Sequence, residues 1–268
     1  MPFQHTLAKT INLTGIGLHY GKTCRLSIKP AEPGAGISFV SQGQVIPARA
    51  EFVVALRRAT VLGKNGVEVA TVEHLLSALH GLGIDNARIE IDGPELPALD
   101  GSAALLVKAL LQAGKQRQAA EAKVKRLTAP VWVAEKDSLL LAFPAPALRI
   151  TCIADFPGMG TKQKSITLRP KLYAEAIAPA RTTVMEAEIK GLLAQGLGQG
   201  GNRRNVIVLG EQGALTKLRF PDEPLRHKML DLIGDLALLG QRLQAQVIAL
   251  RPGHRMNLEL VKKIAAED

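Results

Sequence analysis

The sequence predicts an α+β fold made of two similar halves, each a mostly antiparallel sheet packed on helices, and three features support this. Residues 6–70 alternate apolar and polar side chains between turns rich in Gly and Pro, as a β meander does. Apolar residues recur at helical spacing through Leu75, Leu76 and Leu79, and again through Met229, Leu230, Leu232, Ile233, Leu236 and Leu239. Each half of the chain runs from strands to helices, the order of α+β sandwiches.

The first strands fall at residues 24–29, 37–40 and 59–62. Before them, Gly15, Gly17 and Gly21 suit a sharp connection that would bring His19 and Lys22 near a ligand, although neither the Walker nor the dinucleotide spacing is met. By itself His19 reads as a turn histidine satisfied by its backbone neighbours. Asn65-Gly66 marks a hairpin. A helix follows, with Thr71 as its candidate cap and Glu73 and His74 in its first turn. Their side chains would point about 100° apart, so His74 could bind an ion while Glu73 reaches past it to a water. The helix dipole alone would also favour an acid there. His80 lies off that face and reads as a surface residue.

Residues 87–91 alternate as a strand, Pro94 to Ser102 supplies turns, and 103–114 reads as a second helix. Residues 115–126 are polar, basic and without apolar periodicity, which predicts a linker and divides the chain into domains at 1–120 and 128–268. In the second half the expected strands are 131–134, 139–142, 149–153, 205–208 and 245–250, and the expected helices 185–195, 225–240 and 254–266.

With 268 residues, 47% of them hydrophobic, the chain can bury one large core or two of about 130 residues each. A formal charge of +10 favours an anionic partner. Only 3% of residues are aromatic, and no basic-aromatic platform is present, so a phosphate-bearing metabolite is expected ahead of nucleic acid. Cys24 and Cys152 are too few for a thiolate metal site or a disulfide framework, which predicts a reducing compartment. Residues 1–6 lack a signal pattern, and no apolar run reaches the about 18 residues that span a bilayer. The expectation is a cytoplasmic protein, monomeric and without a transmembrane segment.

The chemistry concentrates in Arg226-His227-Lys228-Met229-Leu230-Asp231-Leu232-Ile233-Gly234-Asp235. His227 and Asp231 stack one turn apart on a single helix face, and Asp235 continues it. On a buried helix such a stripe needs compensation, and a metal would give it; an exposed helical pair is the alternative. His254 follows Arg251-Pro252-Gly253 where a strand gives way to a helix, as an acid or base or as a capping-region residue facing water.

Residues 71–79, Leu99-Asp100-Gly101-Ser102-Ala103, the 226–235 stretch and Gly253-His254 together resemble, in order, the motifs of the UDP-3-O-acyl-N-acetylglucosamine deacetylases, zinc hydrolases of lipid A synthesis in Gram-negative bacteria. Residues 15–22 are similar to that family's N-terminal motif. The resemblance implies two α+β domains with the active site between them and a UDP-linked acylated amino sugar as substrate. It makes His74, His227 and Asp231 the ligands of one Zn²⁺, with Fe²⁺ also compatible. Glu73 becomes the general base and His254 the general acid, oriented and kept charged by Asp235. Thr182 would polarise the acetamide carbonyl, while His19 and Lys228 would contact substrate. Three stretches depart from the family: Thr183-Val184 replaces an aromatic residue and glycine, Arg203-Arg204 replaces an apolar residue and an acid, and the His-Pro pair usual after Asp155-Phe156 is absent. All lie where relatives build the acyl passage. A zinc amidohydrolase acting on another N-acetylated amino sugar, or a zinc-stabilised binding protein without turnover, are the competing readings.

Overall fold

The structure, a computed structural model, describes residues 2–267. Strand β1 (Phe3–Leu7) leads into β2 (Ile11–Ile16), β3 (Thr23–Pro30), β4 (Ile37–Ser41) and β5 (Gln44–Pro47). Next comes a small three-stranded sheet, β6 (Val53–Leu56), β7 (Thr60–Lys64) and β8 (Val67–Val69). Asn65 and Gly66 turn β7 into β8 with φ of 51° and 80°, the conformation that the Asn-Gly pair favours. Helix α1 (Glu73–Leu82), β9 (Ala87–Asp92) and α2 (Ala104–Ala113) complete the first half.

The second half holds β10 (Lys115–Glu121), β11 (Val124–Arg126), β12 (Val131–Glu135), β13 (Ser138–Pro144), β14 (Arg149–Phe156) and β15 (Gly160–Thr167). After them come α3 (Pro170–Ala176), β16 (Thr182–Met185), α4 (Ile189–Ala194), β17 (Val206–Gly210), β18 (Gly213–Ala214), α5 (Glu223–Leu236), β19 (Arg242–Leu250) and α6 (His254–Ala266).

The two main sheets share one topology. The first runs β2-β3-β9-β4-β5 and the second β12-β13-β19-β14-β15. In each, the last strand inserts between the second and third, antiparallel to the former and parallel to the latter. A parallel neighbour requires a long crossover, and α1 and α5 lie within those two crossovers. The α+β expectation holds, and the likeness of the halves, invisible residue by residue, is a likeness of strand order.

Both sheets bury one face, as β19 shows: Leu243, Ala245, Val247 and Ala249 are buried and alternate with half-exposed residues. Helix α5 buries nearly every apolar side chain it carries. It crosses α1 so closely that a Cβ at Gly234 would overlap the backbone of Glu73. That contact sets Glu73 and His74 opposite His227, Asp231 and Asp235. Gly234→Val should therefore cost about 1–3 kcal/mol, read as a lower denaturant midpoint with unchanged slope. A midpoint equal to wild type would mean that the helices pack by other contacts.

Several local expectations need correction. Residues 115–126 are not a featureless linker: β10 pairs with β1, and β11 lies parallel to the start of β19. These strands are held by backbone hydrogen bonds at exposed edges, so their side chains carry no apolar signal. The helix expected over 185–195 is shorter, with β16 ending at Met185 and α4 beginning at Ile189. Helix α3 went unforeseen, although Pro170 at its first position is a start signal. Thr71 does not cap α1; its φ is +59° and its hydroxyl bonds elsewhere. His80 is half-buried beside Asp85 and Arg242, and burial pushes its imidazole down to about 4. No helix among the described residues is long and apolar enough to cross a membrane.

Candidate metal centre and active site

One ligand atom from each of His74, His227 and Asp231 lies within 4.8 Å of the others. Asp231 Oδ1 is 3.6 Å from His74 Nε2 and 3.4 Å from His227 Nε2, and the two rings stand edge to face with centroids 5.0 Å apart. The Nδ1 of His227 is 3.0 Å from the Ala180 carbonyl, so that nitrogen carries the proton and Nε2 presents its lone pair to the cluster. Burial, reinforced by His227 and His254, pushes His74 down to about 3; burial, reinforced by His254 and Lys228 against the Ala180 hydrogen bond, pushes His227 down to about 4, so both are neutral near pH 7. Burial raises Asp231.

These residues fit a metal on an observation independent of any resemblance. Asp231 Oδ1 is buried with no hydrogen-bond partner, and His227 Nε2 beside it carries no proton to offer. A buried carboxylate oxygen left unpaired beside two imidazole nitrogens is costly unless a cation joins them. Two histidines and one carboxylate suit Zn²⁺ and leave a coordination position open.

Against this cluster lies a second array. Asp235 is buried and accepts the Thr60 hydroxyl on Oδ1 at 2.7 Å, and His254 Nδ1 and Asn257 Nδ2 on Oδ2 at 2.8 Å each. With Nδ1 committed, His254 directs Nε2 toward Glu73 Oε1, 3.9 Å away. Glu73 accepts the Thr60 backbone N–H on its other oxygen at 3.0 Å. Burial lifts the Glu73 carboxyl to about 8, against the opposing pull of His254. For His254 burial works downward, but Asp235, by charge and by hydrogen bond, overrides it with help from Glu73 and Asp231 and lifts the imidazole to about 10. The arrangement can hold a proton acceptor and a proton donor side by side beside a cation.

His19 departs from its bland reading: its Nδ1 is buried and without a partner, and the ring lines a cavity of about 380 Å³ with Thr182. Val184, Ile189, Leu192 and Val206 give that cavity an apolar wall. Lys228 is half-exposed and donates to the Pro252 carbonyl at 3.1 Å, bracing the turn before His254. Thus His74, His227, Asp231, Glu73, Asp235 and His254 converge, whereas His19 and Thr182 line the neighbouring cavity and Lys228 braces the site's edge.

The sequence did not point to Thr60 or Asn257, which share Asp235, or to Arg181, whose buried pair with Glu223 at 2.9 Å fixes the chain between Ala180 and Thr182. Glu95, which holds the His19 turn, was also missed. Polar residues in β-strand and turn segments carry no periodicity that would flag them. Only Asn257, one turn after His254 on the same helix, had a readable spacing.

Residues 4–266 match the profile of the family described as LpxC: UDP-3-O-acyl N-acetylglycosamine deacetylase. Proteins named UDP-3-O-acyl-N-acetylglucosamine deacetylase are similar over nearly all of both chains. That of Anaeromyxobacter dehalogenans (strain 2CP-C) is 42% identical over 270 residues, covering 98% of this chain and 88% of the relative. Those of Syntrophotalea carbinolica and Chlamydia muridarum are 40% and 39% identical, covering 99% and 97% of this chain and 89% and 94% of theirs. A full-length match of this kind agrees with the clustered histidines and carboxylates, and the chain belongs to the LpxC family of UDP-3-O-acyl N-acetylglycosamine deacetylases.

Proposed function

We propose that the protein is a metal-dependent hydrolase that removes the N-acetyl group of UDP-3-O-acyl-N-acetylglucosamine, giving UDP-3-O-acyl-glucosamine and acetate on the route to lipid A. The observation that carries this reading is the orphaned Asp231 oxygen between His74 and His227, set against the Glu73, His254 and Asp235 array.

His74, His227 and Asp231 would hold the ion, Zn²⁺ by the donor set, with Fe²⁺ the other candidate. When bound, such an ion supplies Lewis acidity to the acetamide carbonyl and to water. Glu73 takes the proton of the attacking water on its carboxylate. His254, held as imidazolium by Asp235, donates its Nε2 proton to the departing amine nitrogen. The Thr182 hydroxyl donates to the oxygen on which negative charge develops. His19 and Lys228 contact the sugar nucleotide, and the apolar wall of the 380 Å³ cavity takes the acyl chain. The basic excess suits the diphosphate.

The domain division belongs to the same proposal. Its support is that β10, paired with β1, ends at Glu121, while β11, paired with β19, begins at Val124. A monomer in the cytoplasm is the expected setting.

Purified metal-replete protein should release one acetate per substrate consumed. Protein stripped by a chelator should release none until Zn²⁺ is returned. Absence of acetate from the replete enzyme would remove the substrate assignment.

A further inference from the structure

We propose that Glu95 is a positioning residue for this reaction: one buried carboxylate fixes both the turn that carries His19 and the residue from which α1 launches Glu73 and His74. The inference rests on reading the cleft as the deacetylase site.

Glu95 is 1% exposed. Its carboxylate accepts the backbone N–H of His19 at 2.8 and 3.0 Å, that of Tyr20 at 2.9 Å, and the Thr71 hydroxyl at 2.9 Å. Two successive main-chain amides aimed at one anion fix the peptide planes on either side of the His19 side chain. On the turn's other edge, the carbonyls of Leu18 and His19 accept the N–H groups of Gly200 and Gln199, each at 3.0 Å. A side chain at Gly17 would collide with the Glu95 carboxylate, and one at Gly200 with the Gly17 carbonyl. The turn is therefore a bridge between the halves of the molecule, gripped by Glu95 on its amide side and by the 199–200 backbone on its carbonyl side. At its apex the His19 ring lines the cavity, its buried Nδ1 uncommitted.

The second arm runs through Thr71. At φ +59° this β-branched residue occupies the left-handed region that such side chains rarely adopt. Its hydroxyl bond to Glu95 holds it there, and Ala70 beside it bridges to Glu95 through the backbone. Two residues later the chain delivers Glu73, then His74. Freed from Glu95, Thr71 can relax toward extended backbone and swing the first turn of α1.

A carboxamide is a poorer anchor for the turn. Whichever oxygen its N–H₂ replaced, that group would face the backbone N–H of His19, and at the Oε2 position that of Tyr20 as well; only the Thr71 hydroxyl could rotate to accept it.

Glu95→Gln should raise KM for the acylated substrate roughly tenfold through the His19 arm while keeping a bond to Thr71, whereas Glu95→Ala, which removes both arms, should also lower kcat roughly tenfold. Thr71→Val cuts only the second arm and should lower kcat with KM within about twofold of wild type. In a cycle with His19→Ala, Glu95→Gln should add little further to KM, because it acts through His19. Loss of stability with kcat and KM unchanged, or additive KM effects in the cycle, would overturn the proposal. If Glu95→Gln fails to fold, Thr71→Val still decides: a kcat equal to wild type overturns it. Wild-type acetate release, measured alongside, reports on the deacetylase reading itself, so the two failures are distinguishable.

Discussion

Glu73→Gln should keep its metal and lose most of its rate, with kcat falling by about 10²–10⁴. The substitution is nearly isosteric, and the local bonds permit it. The glutamine carbonyl can take the place of Glu73 Oε2 and accept the Thr60 N–H, so α1 stays anchored. The amide N–H₂ then occupies the position of Oε1, which faces His254 across 3.9 Å and has no partner that demands an oxygen. No metal ligand is touched. What disappears is the carboxylate that, once ionised, is placed to accept a proton beside the ligand atoms: on the proposed reading Asp231 would hold the metal, and Asp235 is saturated by Thr60, His254 and Asn257. The measurement is metal content by elemental analysis beside steady-state acetate release. Full metal content with a rate within tenfold of wild type would place the base elsewhere. A zinc-stabilised binding protein would be indifferent to the change altogether.

What could be read from the sequence was whatever repeats along the chain. Helix α6 begins at His254 because Gly253 ends the extended segment and Met256, Leu260, Val261 and Ile264 then recur on one buried face. Helix α5 was legible for the same reason, and its His227 and Asp231, four apart, sit where helical spacing requires. The insertion of β19 between β13 and β14 was not legible, because it depends on which distant strands pair and not on the pattern within any of them. Residues 115–126 misled for a related reason: their structure is a backbone ladder at an edge.

Within the site, the helical positions announced themselves, whereas their supports did not. Thr71 looked like a helix cap because it stands three residues before His74 and threonine is a favoured cap. Its hydroxyl instead satisfies Glu95, 24 residues away, and only the folded chain puts that carboxylate within reach. Thr60 and Asn257, from a strand and from α6, meet at Asp235 under the same condition.

Asp235→Asn should move the basic limb of the pH–rate profile to lower pH and cut the rate most on the alkaline side. His254 must be protonated to act as the acid, and its folded pKa is the balance of two opposed effects. Burial disfavours the imidazolium; the Asp235 charge and hydrogen bond favour it more strongly and bring it to about 10. An asparagine can keep the geometry: its carbonyl takes the His254 and Asn257 donors, and its N–H₂ meets a Thr60 hydroxyl that rotates to accept. The charge is lost and a weaker, neutral hydrogen bond is kept, so burial is opposed only by that bond, Glu73 and Asp231, and the pKa falls. Each unit of that fall removes about tenfold of the protonated enzyme at pH values above it. The variant should therefore be roughly 10²-fold or more below wild type near pH 8 and much closer to it near pH 6. Stability follows with a definite sign. A histidine raised from 6.5 stabilises the fold fully below that value and loses the contribution as pH climbs through about 10. The unfolding free energies of metal-free wild type and Asp235→Asn should thus differ most below pH 6.5 and converge as the pH passes 10. A rate deficit equal at pH 6 and pH 8 would mean that Asp235 orients His254 without setting its charge.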